Sequence, residues 1–370
     1  MEQKSTTVRT HEAVAARGSR GVRRALAVRR ALGAAVLVAV AAGGLAACGH
    51  GSRATGGAHG SITLYSGQHP QTTQTLATAF EQKTGIRVQV RANDEDTFAD
   101  QIETEGPKSP ADVFYTENTP PLEALQDKGL LAPLDRSTLA QTPARYNSPQ
   151  GDWVGVSARV SVLIYNPKLI RASQLPKTIL QLAKPEYKGK LAVAAGESDF
   201  YSVVTSVDRA YGATRTLAWL KAIKKNAGSE HIYPDNETVS SEVNRGQAAL
   251  GVINQYYWYR MRAEIGASRI HSKLAYFAPH DPGYVLDISG AGVLKSSKNK
   301  KAGQEFVAFL VSKQGQQIIT HSLSYEYPLD HGVKQPAEPA FSSLEPNGVT
   351  VADLGNGSKA IALMRQAGLL

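Results

Sequence analysis

A single cysteine, Cys48, stands among 370 residues, so no intrachain disulfide is available and stability must come from a packed core. No Gly-x-Ser-x-Gly elbow, no His-Glu-x-x-His and no nucleophile beside a base occurs, which removes the main hydrolase signatures. His-x3-His and Cys-x-x-Cys spacings are missing too, and with them the usual zinc arrangements. There is no internal repeat. A basic arm interleaved with aromatics is also absent, so nucleic acid is excluded as a partner. The formal charge of +9 misleads on that point, because residues 1–47 hold eight of the 41 basic residues and two of the 32 acidic ones. The rest of the chain carries 33 against 30, a surplus of three, and scatters them.

What is present begins with that basic opening, followed by an uncharged Ala/Val/Leu/Gly run over 31–47. A basic region, a short apolar run and small residues ahead of a cleavage point describe a secretory signal peptide over 1–47. Leu45-Ala46-Ala47-Cys48 matches the bacterial lipobox, in which the cysteine is lipidated and becomes the mature N-terminus. A single transmembrane anchor and a buried thiol are the alternatives. The run is short for a span of about 20 residues, and the Gly/Ser/His-rich stretch 49–60 suits a tether. The expected location is the outer face of the cytoplasmic membrane, in a periplasm or at a cell surface.

Beyond the tether the chain is long enough for two ordinary domains. Residues 62–65 read as a strand, 72–84 as a helix stopped by Gly85, and 86–90 as a half-buried strand with period-two alternation. That is a βαβ unit, which implies a parallel sheet with a right-handed crossover. A helix over 98–105, a strand over 111–115 and a helix over 121–128 follow. Two apolar segments, 153–156 and 160–165, flank Ser157-Ala158-Arg159, where the chain is expected to cross between lobes. Strands are expected at 191–195 and 248–253, a return crossing at 284–290, and helices at 211–225, 301–312 and 354–366.

Chemistry concentrates at Tyr256-Tyr257, delivered by the strand 248–253 to its C-terminal end, where open α/β sheets hold their ligands. Adjacent Tyr residues are ordinary packing groups in most chains. As ionised phenols beside Asn254 they become hard oxygen donors that suit Fe³⁺ better than Mg²⁺ or Ca²⁺. His69 fits a solvated turn or an imidazole donor, and Glu117 a carboxylate donor or a charge at the next helix N-terminus. Asn254 has a local role open to it at the strand end. Arg159 and Arg260 read by default as surface ion-pair partners, with Arg159 also placed to pair with site carboxylates or an anion. Asp94, Glu95 and Asp96 read as a solvated helix start.

Four separated motifs carry a resemblance: Leu64-Tyr65-Ser66-Gly67-Gln68-His69, Ala111-Asp112-Val113-Phe114-Tyr115-Thr116-Glu117, Gly251-Val252-Ile253-Asn254-Gln255-Tyr256-Tyr257-Trp258-Tyr259 and Ser324-Tyr325-Glu326-Tyr327-Pro328-Leu329. Together they resemble the bacterial ferric-ion-binding proteins, solute-binding subunits of ABC iron transporters often likened to one lobe of transferrin. The resemblance covers the mature chain from Ile62 to Leu370. It implies an α/β, two-lobed periplasmic-binding-protein fold of type II, each lobe a mixed, mainly parallel sheet flanked by helices and joined by hinge strands. On that pattern 61–158 and 281–324 form one lobe, 159–280 and 325–370 the other, in a monomer. It implies His69 and Glu117 as metal donors from the first lobe and Tyr256 and Tyr257 from the second, with Tyr65 and Tyr201 in reserve. Asn236, Asn254, Ser198, Asp199 and Arg159 would hold a synergistic anion such as phosphate or carbonate. The segment Glu197-Ser198-Asp199-Phe200 departs from the family's Ser-Gly-Ala type of turn, placing acidic groups where an oxyanion would sit.

The expected activity is therefore capture of Fe³⁺ outside the membrane and delivery to permease subunits, without enzymatic chemistry. A receptor of the same fold for a small organic cation or an oxyanion, such as a phosphonate, thiamine or a polyamine, is the alternative.

Overall fold

The computed structural model describes residues 60–329, 332–333 and 339–370. The signal peptide, Cys48 and the tether up to residue 59 lie outside the described residues. Among the described residues ten strands form the framework: β1 (Ser61–Ser66), β2 (Arg87–Ala92), β3 (Val113–Thr116), β4 (Leu131–Ala132), β5 (Trp153–Tyr165), β6 (Leu191–Ala192), β7 (Leu250–Asn254), β8 (Lys273–Ala275), β9 (Leu286–Leu294) and β10 (Tyr327–Pro328). Their order is β2-β1-β3-β9-β5-β7-β6, with β4 against β9 and both β8 and β10 against β5.

Two sheets share β5. Its first part, Trp153 to Val160, pairs antiparallel with β9 in a sheet that also holds the parallel strands β2, β1 and β3. Its second part, Ser161 to Tyr165, pairs with β7 and β8, and β7 pairs parallel with β6. The expected βαβ opening is present: β1 and β2 run parallel around the helix Pro70–Thr84. That helix begins on a proline, whose missing N–H costs nothing in the first turn, and its apolar face buries Leu76, Ala77 and Phe80. Phe80 meets Phe306 of the helix Lys300–Val311 edge-on at 5.1 Å, closing the core over Ile62, Leu64 and Val113.

The two apolar segments read at 153–156 and 160–165 are one continuous strand with every residue buried. Polar residues between them do not break it, because Ser157 and Arg159 meet polar partners inside the protein. Ser157 Oγ lies 2.6 Å from Ser289 Oγ and donates to Glu326 at 2.5 Å, and Arg159 reaches the same carboxylate at 2.9 Å. A register shift against β9 falls between Gly155 and Ser157. A Cβ at Gly155 would clash with the Tyr146 carbonyl oxygen and lie 3.0 Å from Ile288 and 3.1 Å from Leu329, inside ordinary van der Waals contact. Gly155→Ala is accordingly expected to destabilise by about 1–3 kcal/mol. Thermal unfolding checks it; an unchanged midpoint would refute the close approach.

The helix expected over 211–225 is present as Ala213–Ala227, while Tyr211 ends a separate helix, Ser198–Tyr211, that the sequence reading did not anticipate. Gly212 separates them at φ +79° and ψ 160°, a conformation that side chains beyond glycine rarely adopt. The stretch 354–366 likewise divides into Val351–Leu354 and Ser358–Ala367 around the turn at Gly355 and Gly357.

Candidate functional site

The expected donors come from strand ends and helix starts. His69 follows β1 and immediately precedes the helix Pro70–Thr84. Glu117 follows β3. Tyr256 and Tyr257 occupy the first turn of the helix Gln255–Ile265, which springs directly from β7. The helices Ser198–Tyr211 and Asn236–Arg245 begin in the same neighbourhood, with Asn236 reaching Asp199. Helix N-termini carry partial positive charge and favour anionic groups.

His69, Glu117 and Tyr256 meet. His69 Nδ1 lies 3.0 Å from Glu117 Oε1, and the Tyr256 hydroxyl donates to Glu117 Oε2 at 3.0 Å. The His69 ring stands edge-on to Tyr256 at 5.0 Å between centroids, and the Tyr256 and Tyr257 rings lie 4.0 Å apart. His69 Nδ1 also has the Arg260 guanidinium at 3.1 Å, and it serves only one of these partners at a time. With the proton on Nδ1 it donates to Glu117 and leaves Nε2, buried and without a hydrogen-bond partner, as a free lone pair.

Arg159, completely buried, organises the acidic groups around it. Its guanidinium bonds Glu326, approaches Glu117 Oε2 and Asp199 Oδ1 to 3.9 Å each, and lies 5.7 Å from the Tyr256 ring centre. Glu326 accepts from both Arg159 and Gln68 Nε2, and Gln68 Oε1 accepts the His69 backbone N–H at 2.8 Å. One carboxylate thus ties the arginine to the turn that presents the imidazole.

Burial pushes the Glu117 carboxyl up, but His69, then Arg159 and the Tyr256 hydroxyl, bring it down to about 2. Glu117 is a carboxylate at every ordinary pH. The phenols move the other way. Burial, reinforced by Glu117 at Tyr256 and by Asp199 and Glu197 at Tyr257, holds both well above the usual phenol value. Asp199 is also raised, by burial first, with Arg159 opposing.

The remaining candidates are distributed as follows. Asn236 Nδ2 donates to Asp199 Oδ2 at 3.0 Å, and Ser198 Oγ donates to Glu95 Oε1 at 2.5 Å. Asn254 is fully buried beside Ser161, Asp199 and Asn236, with neither side-chain polar atom bonded. Tyr65 is not brought to the group; its hydroxyl is engaged by Glu105, Gln101 and Arg91. Tyr201 donates to the Gly196 carbonyl at 2.7 Å.

Two sequence readings need correction. Glu95 is not a solvated helix residue: it is buried and accepts the backbone N–H groups of Glu117 and Asn118, the Asn118 amide and Ser198 Oγ. Arg260 is more than a surface ion-pair partner, since it joins His69 to Glu237. Asn118, Gln68 and Glu326 were not singled out at all. Among the described residues no group of three or more His, Cys, Asp or Glu side chains is arranged to hold a metal ion. Any metal centre here therefore depends on phenol oxygens beside the single His69–Glu117 pair.

The chain and its fold have close parallels. A family model described as bacterial extracellular solute-binding protein matches residues 66–317. The Fe(3+)-binding periplasmic protein of Serratia marcescens is 39% identical over 84% of this chain and 90% of its own length. The major ferric iron-binding protein of Neisseria meningitidis serogroup A is 35% identical over 83% and 93%. The crystal structure of iron-bound HitA from Pseudomonas aeruginosa superposes with a TM-score of 0.79 at 41% identity, covering 83% of this chain and 99% of that one.

Proposed function

Because the chain belongs to the bacterial extracellular solute-binding protein family, we propose that it captures ferric iron outside the cytoplasmic membrane and delivers it to ABC permease subunits. The donors are His69, Glu117, Tyr256 and Tyr257. The observation that carries this reading is the convergence of an ionised carboxylate, an imidazole with a buried free nitrogen and paired phenols, all hard or borderline donors, where no thiolate is at hand. Glu117 and two phenolates balance a trivalent charge. The relatives named for ferric iron support the same cargo.

In this reading the lobes are 61–158 with 281–324 and 159–280 with 325–370. Residues 1–47 are the signal peptide, and lipidated Cys48 holds the monomeric receptor at the membrane through the tether 48–60. The protein captures and hands over its cargo, and makes or breaks no covalent bond.

The deciding experiment is ferric titration of metal-free protein, followed by absorption, with a phenolate-to-iron charge-transfer band as the expected result. Its pH dependence is specific. Glu117 has no proton to release, whereas both phenols do, so binding expels about two protons and affinity for free Fe³⁺ rises about 100-fold per pH unit between about pH 7 and 9. A flat profile in metal-buffered competition would point to an organic ligand instead.

A further inference from the structure

The crossing strands have a second face. On β9 Asp287 stands opposite Arg159 and shares its side of the sheet, the side of the donors. Leu286 and Ile288 flank it and therefore point the other way. Behind them lies a cavity of about 570 Å³, a volume typical of small-molecule sites. Its walls belong to different halves. Tyr146 rides on the loop that enters β5, where Asn147 Oδ1 accepts the Gly155 N–H at 3.1 Å. The facing wall is drawn from residues 341–351, and these are tied elsewhere. Asn347 Nδ2 donates to Ser206 Oγ at 3.0 Å, and the Glu345 carbonyl accepts the His280 N–H at 3.0 Å. With the crossing strands as the axis, drawing the donors apart on one face closes the cavity on the other. Here Tyr256 is bonded to Glu117, so the donors are together, and the cavity is open.

The lining is apolar and the rim is charged. Leu286, Ile288, Leu344 and the rings of Tyr146 and Phe341 form the interior, with Phe341 stacked on Tyr327 at 5.3 Å. Arg145 is exposed at the rim, its guanidinium laid over the Tyr146 ring at 4.7 Å, and among the described residues it has no ion-pair partner. Glu345, the one acid in the lining, leaves Arg145 unneutralised; its charge acts on Tyr284, whose phenol is raised by burial first. A guanidinium held on an aromatic plane beside an apolar hollow suits an anionic head on an apolar body.

We propose that this cavity is a second binding site, for an apolar organic anion of the aromatic-acid kind, and that filling it wedges the halves in the arrangement that brings the donors together. The apolar body lies behind Ile288, and the anionic group bonds Arg145. The site stands independently of the cargo, whereas its coupling to iron rests on the ferric reading above. By linkage, the anion tightens iron by the same factor as iron tightens the anion.

The test uses the full protein and naphthalene-2-sulfonate, an aromatic anion that ligates Fe³⁺ weakly, with naphthalene-2-methanol as its uncharged counterpart. Calorimetric titration of metal-free protein should show saturable sulfonate binding, with the alcohol about tenfold weaker or more, as for loss of a charge-assisted hydrogen bond. Arg145→Gln should weaken the sulfonate about tenfold or more and bring it level with the alcohol, while iron affinity without the probe stays within about twofold. Saturating sulfonate should tighten iron by about fivefold or more and slow its release to a chelator, and the variant should lose that gain. The proposal is overturned by the lack of saturable binding, by sulfonate affinity indifferent to Arg145→Gln, or by iron binding left unchanged or loosened. A missing iron band would sink the ferric reading, while an Arg145-dependent titration would still uphold the site.

Discussion

Changing Tyr256 and Tyr257 together to Phe is expected to abolish the iron colour and lower ferric affinity by at least about 10³-fold, roughly 4 kcal/mol. Imidazole and one carboxylate remain, and they leave most of a trivalent charge unbalanced. The rings stay, so the packing of the two aromatics 4.0 Å apart and against His69 is retained. The bonds lost are Tyr256 to Glu117 and Tyr257 to Asp199, and Glu117 keeps His69 as a partner. Metal-free stability should therefore change by only about 1–3 kcal/mol, an ordinary value for two buried hydrogen bonds. The rise in unfolding temperature that ferric iron gives the parent protein should vanish in the variant. Isothermal competition and thermal unfolding separate the two effects, and full iron affinity in the double variant would remove the assignment.

Arg159→Met is expected to cost about 3–5 kcal/mol in the metal-free protein, lowering the unfolding midpoint by roughly 6–10 °C. Methionine fills much of the stem's volume, so the loss is one of charge. Burial acts to lower the Arg159 pKa, but Glu326 first, then Tyr256, Glu117 and Asp199, hold it well above its ordinary value. Removing it leaves three carboxylates facing one another in the interior. Bound ferric iron restores positive charge beside Glu117, so the loss should be smaller in the iron-loaded variant. Equal stability of variant and parent would show that the surrounding acids are protonated or hydrated and that Arg159 compensates nothing.

The parts of this molecule legible in the sequence were those with a local cause. Period-two alternation marked β2, and Gly85 ended the helix before it. The Asn254–Tyr257 segment stood at the end of an apolar strand, and the structure gathers His69, Glu117 and Tyr256 from three distant points. Glu95 was hidden because Asp94 does cap a helix, accepting from the Thr97 backbone, and so the acidic triplet looked solvated. Only the neighbouring strand end explains why Glu95 turns inward. A Cβ on Gly67 would lie 2.5 Å from the Glu95 Cβ, so the glycine is what lets the glutamate come in. Arg260 had a usable signal: it stands four residues after Tyr256 and shares its helix face. Gln68 and Glu326 offered none, since their bond joins residues 258 apart and belongs to the tertiary fold alone.

Strand β5 belongs to both sheets, but the proposed iron donors do not. The imidazole and carboxylate ride on the first sheet and the phenols on the second, with the arginine near the axis between them. On the proposed reading, a membrane partner that pries the halves apart would strip the cargo of half its grip in a single stroke. Unloading would then proceed by leverage alone and leave the empty receptor with its acid and phenols ready for the next ion.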